Sequence, residues 1–177
     1  MHIKFAIFFY KTHIRFLITS ANFVEYGWTI MENIVYYQDF PILPSSKSNL
    51  DSHFRKDLKH CLSRLSLPPA LVRQLDDYDF SKAIGKLVMS LPGIHSLHQD
   101  HLMGLMRLQE ITSRVKLLNN PTIVCQCSSL GRLDWNWIES FSSSLCGTTA
   151  DTDIKFCFPS KKTRDSSTCS KSTVSRF

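Results

Sequence analysis

No stretch of the chain approaches the ~20 consecutive apolar residues that a membrane-spanning helix requires. The six cysteines, at positions 61, 125, 127, 146, 157 and 169, form no C-x-x-C pair and no regular framework. A disulfide-stapled secreted module is therefore disfavoured, and reduced thiols in an intracellular protein are expected. No carboxylate cluster suited to magnesium is evident, and no metal or cofactor is expected. His95, His98 and His101 lie where a loop after Pro92-Gly93 enters a helix. With no cysteine or acidic ligand at a matching spacing, capping or solvent exposure is expected of them rather than zinc. Cys125-x-Cys127 would share one side of a strand, and a metal is not expected there either. The amino-terminal apolar stretch is broken at Lys11, His13 and Arg15. It is shorter than the ~7–15 residues of a signal-peptide core, so it reads as strand rather than leader.

What is present is an ordinary globular composition with a modest positive balance. The chain has 177 residues, 43% hydrophobic and 20% charged, with a formal net charge of +6. That length suffices for one domain with a real core. The charge is compatible with a phosphate-rich partner, although part of it sits in the tail. From Ser160 onward there are nine Ser/Thr, five Lys/Arg and one Asp, with almost no apolar residues. Residues 160–177 are expected to be a disordered basic tail, and residues 1–159 the folded domain.

Period-two and period-3.6 patterns alternate along that domain. Residues 2–10, 14–20 and 33–38 read as strands, the last closed by Pro41 and Pro44. A helix is expected over 49–64, with Leu50, Phe54, Leu58 and Leu62 as its apolar stripe. Arg55, Lys56 and Lys59 fall off that stripe, on what is expected to be a solvated face. Pro68-Pro69 opens a short helix to Leu75. Residues 86–91 are expected to form a buried strand. A helix over 101–118 has core positions Leu102, Leu105, Leu108, Ile111, Val115 and Leu118, ended by Asn119-Asn120-Pro121. Strands over 122–128 and 153–158 flank a helix over 135–145. Such alternation predicts an α/β layered domain.

Chemistry concentrates at the amino terminus. His2-Ile3-Lys4 opens the first strand, and side chains at i and i+2 share a strand face, so His2 and Lys4 can address one phosphate. An imidazole can attack phosphorus and form a covalent phosphohistidine. A lysine neutralises non-bridging oxygens, and a carboxamide such as that of Asn22 donates a hydrogen bond to the same group. A lone His-x-Lys at a strand edge, however, is ordinarily just surface.

The run His2-x-Lys4 followed by Thr19-Ser20-Ala21-Asn22 and Trp28 resembles the first half-site of the tyrosyl-DNA phosphodiesterase I family, in the phospholipase D superfamily. The general superfamily motif has an aspartate five residues after the lysine, where this chain has Phe9. The tyrosyl-DNA phosphodiesterase branch lacks it. Further stretches resemble the family in the same order: Ser52–Leu58, Tyr78–Ser81, Leu87–Gly93, Gly104–Leu108, and Phe156-Cys157-Phe158-Pro159-Ser160. The most telling is Ile123-Val124-Cys125-Gln126-Cys127-Ser128-Ser129-Leu130-Gly131, similar to a Gln-aromatic-Ser-Ser segment whose serines contact the DNA backbone. Here Cys127 replaces the aromatic residue and Arg132 a usual serine.

The resemblance implies a phospholipase D-like layered α/β/α domain with a mixed sheet, incomplete relative to the family's two-repeat architecture, because no second His-x-Lys is found. It implies His2 as nucleophile, Lys4 and Asn22 as phosphate stabilisers, and Ser128, Ser129 and Arg132 as DNA contacts. The implied reaction is metal-independent hydrolysis of a DNA 3′-phosphotyrosyl bond, in DNA repair in the nucleus. The implied partners are single- or double-stranded DNA with a blocked 3′ end and a topoisomerase-derived peptide, with no membrane. Without the second half-site this chain alone is expected to be inactive or nearly so. Two alternatives stay open: a non-catalytic paralogue that binds single-stranded DNA, and a half-site completed by homodimerisation.

Overall fold

The computed structural model describes residues 4–44, 52–94, 102–115, 121–126, 132–146, 153–158 and 160. The chain divides into two compact units, Met1–Leu87 and Val88–Phe177. It is a mixed α/β protein.

In the first unit, strands β1 (Lys4–Phe9), β2 (His13–Thr19) and β3 (Val35–Pro41) form an antiparallel sheet in the order β1-β2-β3. Lys11-Thr12 make the first reversal, closed by a hydrogen bond from Tyr10 N–H to the His13 carbonyl at 2.9 Å. Register sorts the side chains. Phe16 lies opposite Ile7 and Gln38, and Ile14 opposite Phe9 and Phe40, so these residues share one face. Onto that face packs helix α2 (His53–Arg64). Phe54 meets the rings of Phe16 and Phe40 at centroid distances of 5.6 and 5.3 Å, and Phe80 stands 4.3 Å from Phe40. Leu58 and Leu62 complete the helix's buried stripe, as its spacing predicts. Leu50 lies outside the described residues.

The opposite face of the sheet is chemically different. Arg15 donates to both carboxylate oxygens of Asp39, directly across the pair, at 2.7 and 2.8 Å. The same guanidinium lies over the rings of Tyr10 and Tyr37. This contact holds the Asp39 carboxyl below the usual carboxylate range and raises the pKa of Arg15. A depressed folded-state pKa stabilises the fold fully above the unfolded value and loses that contribution as pH falls through the folded value. Asp39→Asn is therefore expected to lower the thermal midpoint at pH 7, with the gap to wild type closing as pH drops below about 3.9. Thermal unfolding at stepped pH checks this, and a gap constant down to acid pH refutes it.

The solvated face expected on α2 needs correction. Arg55 is buried, with its Nε 3.9 Å from Asp76 Oδ1, and Lys59 Nζ reaches the same carboxylate at 2.6 Å. Helix α3 (Pro69–Gln74) and a 3₁₀ turn (Leu75–Asp77) supply that carboxylate. Paired charge can enter an interior that isolated charge cannot. The chain then returns beside β3, where Ile42 and Tyr78 form an antiparallel bridge.

The expected strand over 86–91 does not form. Leu87 is buried and Val88 exposed, but no ladder partner exists among the described residues. The Met89 carbonyl instead accepts from Gly104 N–H at 2.8 Å. Gly104, with φ 53°, occupies the left-handed region that suits glycine. It opens helix α4 (Gly104–Thr112), shorter than the 101–118 expected. Its deepest neighbours are Met103 and Arg107, the latter paired with Glu110; Leu102, Leu105, Leu108 and Ile111 are half-buried. Val115 lies past the helix end and is 54% exposed, contrary to its expected core role. Leu118 falls outside the described residues.

Also in the second unit, β4 (Thr122–Gln126) and β5 (Asp153–Cys157) pair in parallel with helix α5 (Trp135–Cys146) between them in sequence. Parallel strands need such a crossover. The Asp134 carboxylate accepts from Trp137 N–H at 2.7 Å, capping the start of α5. Thr112 Oγ1 donates to the Ser144 carbonyl at 2.6 Å, tying α4 to α5.

Candidate active site

Lys4 begins β1 opposite Thr19, the last residue of β2. Cross-strand partners share a face, so Lys4, Thr19 and Val35 form one row at the end of the sheet remote from the hairpin turn. By the alternation set by Phe16 and Phe40, that row lies on the face opposite α2. Apolar burial on one face therefore dictates where the ammonium goes. Lys4 is half-buried, and no carboxylate pairs with it among the described residues. A cation unpaired among the described residues, at a strand end, is suited to an incoming anion.

Asn22 follows three residues after Thr19, so the loop leaving β2 brings it to the same end of the strand pair as Lys4. Its carboxamide is exposed and has no hydrogen-bond partner among the described residues. Its backbone is held closely. Trp28 Nε1 donates to the Asn22 carbonyl at 2.8 Å, and Thr19 Oγ1 accepts from Ala21 N–H at 2.9 Å. Gly27 is buried; a Cβ there would come within 3.0 Å of the Asn22 carbonyl oxygen. Only glycine permits that approach without displacement.

Residues 23–32 read from sequence as loop, yet Glu25–Thr29 form a short helix, α1. Asn33, read from sequence as the start of a strand, instead precedes β3 and bridges the loop. Its Oδ1 accepts from Ser20 Oγ at 2.9 Å and its Nδ2 donates to the Gly27 carbonyl at 2.8 Å. Five residues are too few for an autonomous helix, and helical periodicity cannot reveal one. The sequence signal that did exist was compositional: Gly27, Trp28 and Asn33 are unusual company in a plain surface loop.

His2 lies outside the described residues, as do Ser128 and Ser129; of the expected catalytic set, Lys4 and Asn22 are described, both at the same end of the β1–β2 pair. Arg132 is exposed, two residues before the Asp134 cap of α5, and belongs to the second unit. His95, His98, His101 and residues 161–177 of the expected tail also lie outside the described residues. No group of three or more His, Cys, Asp or Glu side chains that could hold a metal ion occurs among the described residues.

The chain is 26% identical over 167 residues to tyrosyl-DNA phosphodiesterase 1 of Arabidopsis thaliana, a match that covers 85% of this chain and 28% of that protein. The chain thus spans less than a third of that relative's length. The family model for tyrosyl-DNA phosphodiesterase matches residues 1–175. With nearly its whole length accounted for by that model, the chain belongs to the tyrosyl-DNA phosphodiesterase family.

Proposed function

We propose that this chain carries a phosphoryl-transfer half-site of a tyrosyl-DNA phosphodiesterase, in which His2 is the nucleophile and Lys4 and Asn22 stabilise the phosphoryl oxygens. The observation that carries the reading is the shared placement of Lys4 and Asn22 at one end of the β1–β2 pair. The family match over residues 1–175 supplies the substrate class: DNA bearing a tyrosine at its 3′ end.

In the proposed reaction, an imidazole nitrogen of His2 attacks phosphorus and the bond from phosphorus to the tyrosyl oxygen breaks. The tyrosyl oxygen takes a proton from solvent water as it leaves, and a phosphohistidine remains. Hydrolysis then requires a water oxygen to attack phosphorus while the P–N bond breaks, releasing the DNA 3′-phosphate. Lys4 offsets charge on the non-bridging oxygens, and the Asn22 carboxamide donates a hydrogen bond to one of them. Ser128, Ser129 and Arg132 are proposed contacts to the strand. The biological setting is repair of DNA in the nucleus.

One histidine cannot be both the phosphorylated nucleophile and the acid–base group for leaving and attacking oxygens. General acid–base catalysis is worth roughly 10²–10⁴ in rate, and the 177 residues contain a single His-x-Lys. The polypeptide by itself is therefore expected to stall at the covalent stage. Incubated with a 3′-phosphotyrosyl oligonucleotide, it should accumulate a protein–DNA adduct, acid-labile as a phosphoramidate is, without multiple turnovers. His2→Ala should give no adduct. An adduct that persists in His2→Ala, or sustained turnover by the wild-type polypeptide, would overturn this account.

A further inference from the structure

We propose that Asn33 and Trp28 are positioning residues that clamp the peptide of Asn22 and so aim its carboxamide, an inference that rests on the phosphodiesterase reading above. The loop carrying Asn22 is anchored by burial only at Ala21 and Gly27. Phe23 is 59% exposed, Val24 58% and Ile30 54%. Phe23 and Trp28 stack on one another, with ring centroids 6.3 Å apart, but both remain largely in solvent. The rest of the loop is held by a relay of polar contacts that runs from Ser20 through Asn33 to Gly27, with one hydrogen bond from Trp28 to the Asn22 carbonyl. Ser20, at the exit of β2, donates its hydroxyl to Asn33 Oδ1 and accepts from Ile34 N–H at 2.9 Å. Asn33 passes the connection to the Gly27 carbonyl through its Nδ2. Gly27 abuts the Asn22 carbonyl, and Trp28 Nε1 donates to that same oxygen.

The result is an asymmetry. The Asn22 main chain is secured by Trp28 and Gly27 of α1, the latter held in turn by Asn33, whereas its side-chain amide has no partner among the described residues. Polar groups that are prepaid in orientation but unsatisfied are what stabilises charge that arrives later. Each clamp bond is a single hydrogen bond between neutral groups, a small net contributor to folding. Losing one should therefore blur the aim of Asn22 more than it destabilises the unit.

The test is equilibrium binding of a labelled 3′-phosphotyrosyl oligonucleotide to the full 177-residue chain, read by fluorescence anisotropy beside thermal unfolding. Asn22→Ala is expected to weaken binding about tenfold, as loss of one hydrogen bond to a charged group would. Trp28→Phe, which keeps the ring and removes its N–H, and Asn33→Ala should each weaken it about three- to tenfold. Combined with Asn22→Ala, neither should weaken it further, because residues acting through one another are non-additive. Additive losses, or silent clamp variants beside a weakened Asn22→Ala, would overturn the clamp and leave the phosphoryl-site reading standing. An Asn22→Ala protein that binds as wild type would overturn that reading, and the clamp with it. Should Asn33→Ala not fold, Ser20→Ala removes the same bridge from its other end and carries the same expectations.

Discussion

Lys4→Ala is expected to slow formation of the His2 adduct by about 10²–10³-fold, the usual cost of removing one preorganised stabiliser of developing charge. The expectation follows from position. Lys4 opens β1 in register with Thr19, on the face opposite α2, with no carboxylate paired to it among the described residues. Lys4→Arg keeps the charge but replaces a compact ammonium with a planar fork, so partial activity should survive. Single-turnover adduct formation at saturating oligonucleotide separates this effect from weakened binding. A rate within about threefold of wild type for Lys4→Ala, where one such donor should cost at least 10², would remove Lys4 from the mechanism.

Phe40→Ala carries the largest expected cost to stability, about 3–5 kcal/mol. Phe40 is 1% exposed at the centre of the aromatic cluster, with Phe54 at 5.3 Å and Phe80 at 4.3 Å. Its removal leaves a void walled by the sheet, by α2 and by the segment after the 3₁₀ turn, three elements that cannot all collapse inward. Against a typical total of about 5–15 kcal/mol, the loss would leave the first unit marginal. Urea unfolding followed through Trp28, with Trp135 and Trp137 changed to Phe, reads that unit. Ile84→Ala is the control: Ile84 is 82% exposed, and a shift within about 0.5 kcal/mol is expected. A loss below about 1 kcal/mol for Phe40→Ala would mean that this cluster does not hold the unit together.

Much of the first unit was legible because its signals are local. The apolar run before Lys11 and the alternation of Ile14, Phe16 and Ile18 define β1 and β2 without tertiary information. The stripe Phe54, Leu58, Leu62 likewise defines α2. What escaped the sequence depends on partners distant in the chain. Arg55 reads as a surface cation until Asp76 is placed beside it. Leu87-Val88-Met89 has the composition of a strand, but a strand needs a neighbour, and the Met89 carbonyl found Gly104 instead. The candidate site divides the same way. Lys4 and Asn22 stand out in the sequence through the family resemblance of His2-x-Lys4 and Thr19-Ser20-Ala21-Asn22. Asn33 does not, because its role lies in bonds to Ser20 and Gly27, thirteen and six positions back.

The hairpin between β1 and β2 makes the placement of the ammonium a by-product of sorting oil from water. Sliding β1 by one position would send Lys4 beneath α2 and turn Phe5 and Ile7 outward, an error that greasy contacts alone would reject. Sliding it by two would spare those contacts yet carry the charge about 7 Å along the ladder, away from Asn22. The two-residue reversal at Lys11-Thr12 guards against that second mistake. A tight bend more than fifteen ångströms' worth of strand away thereby sets the reach of the chemistry, at roughly 3.4 Å for each residue between them.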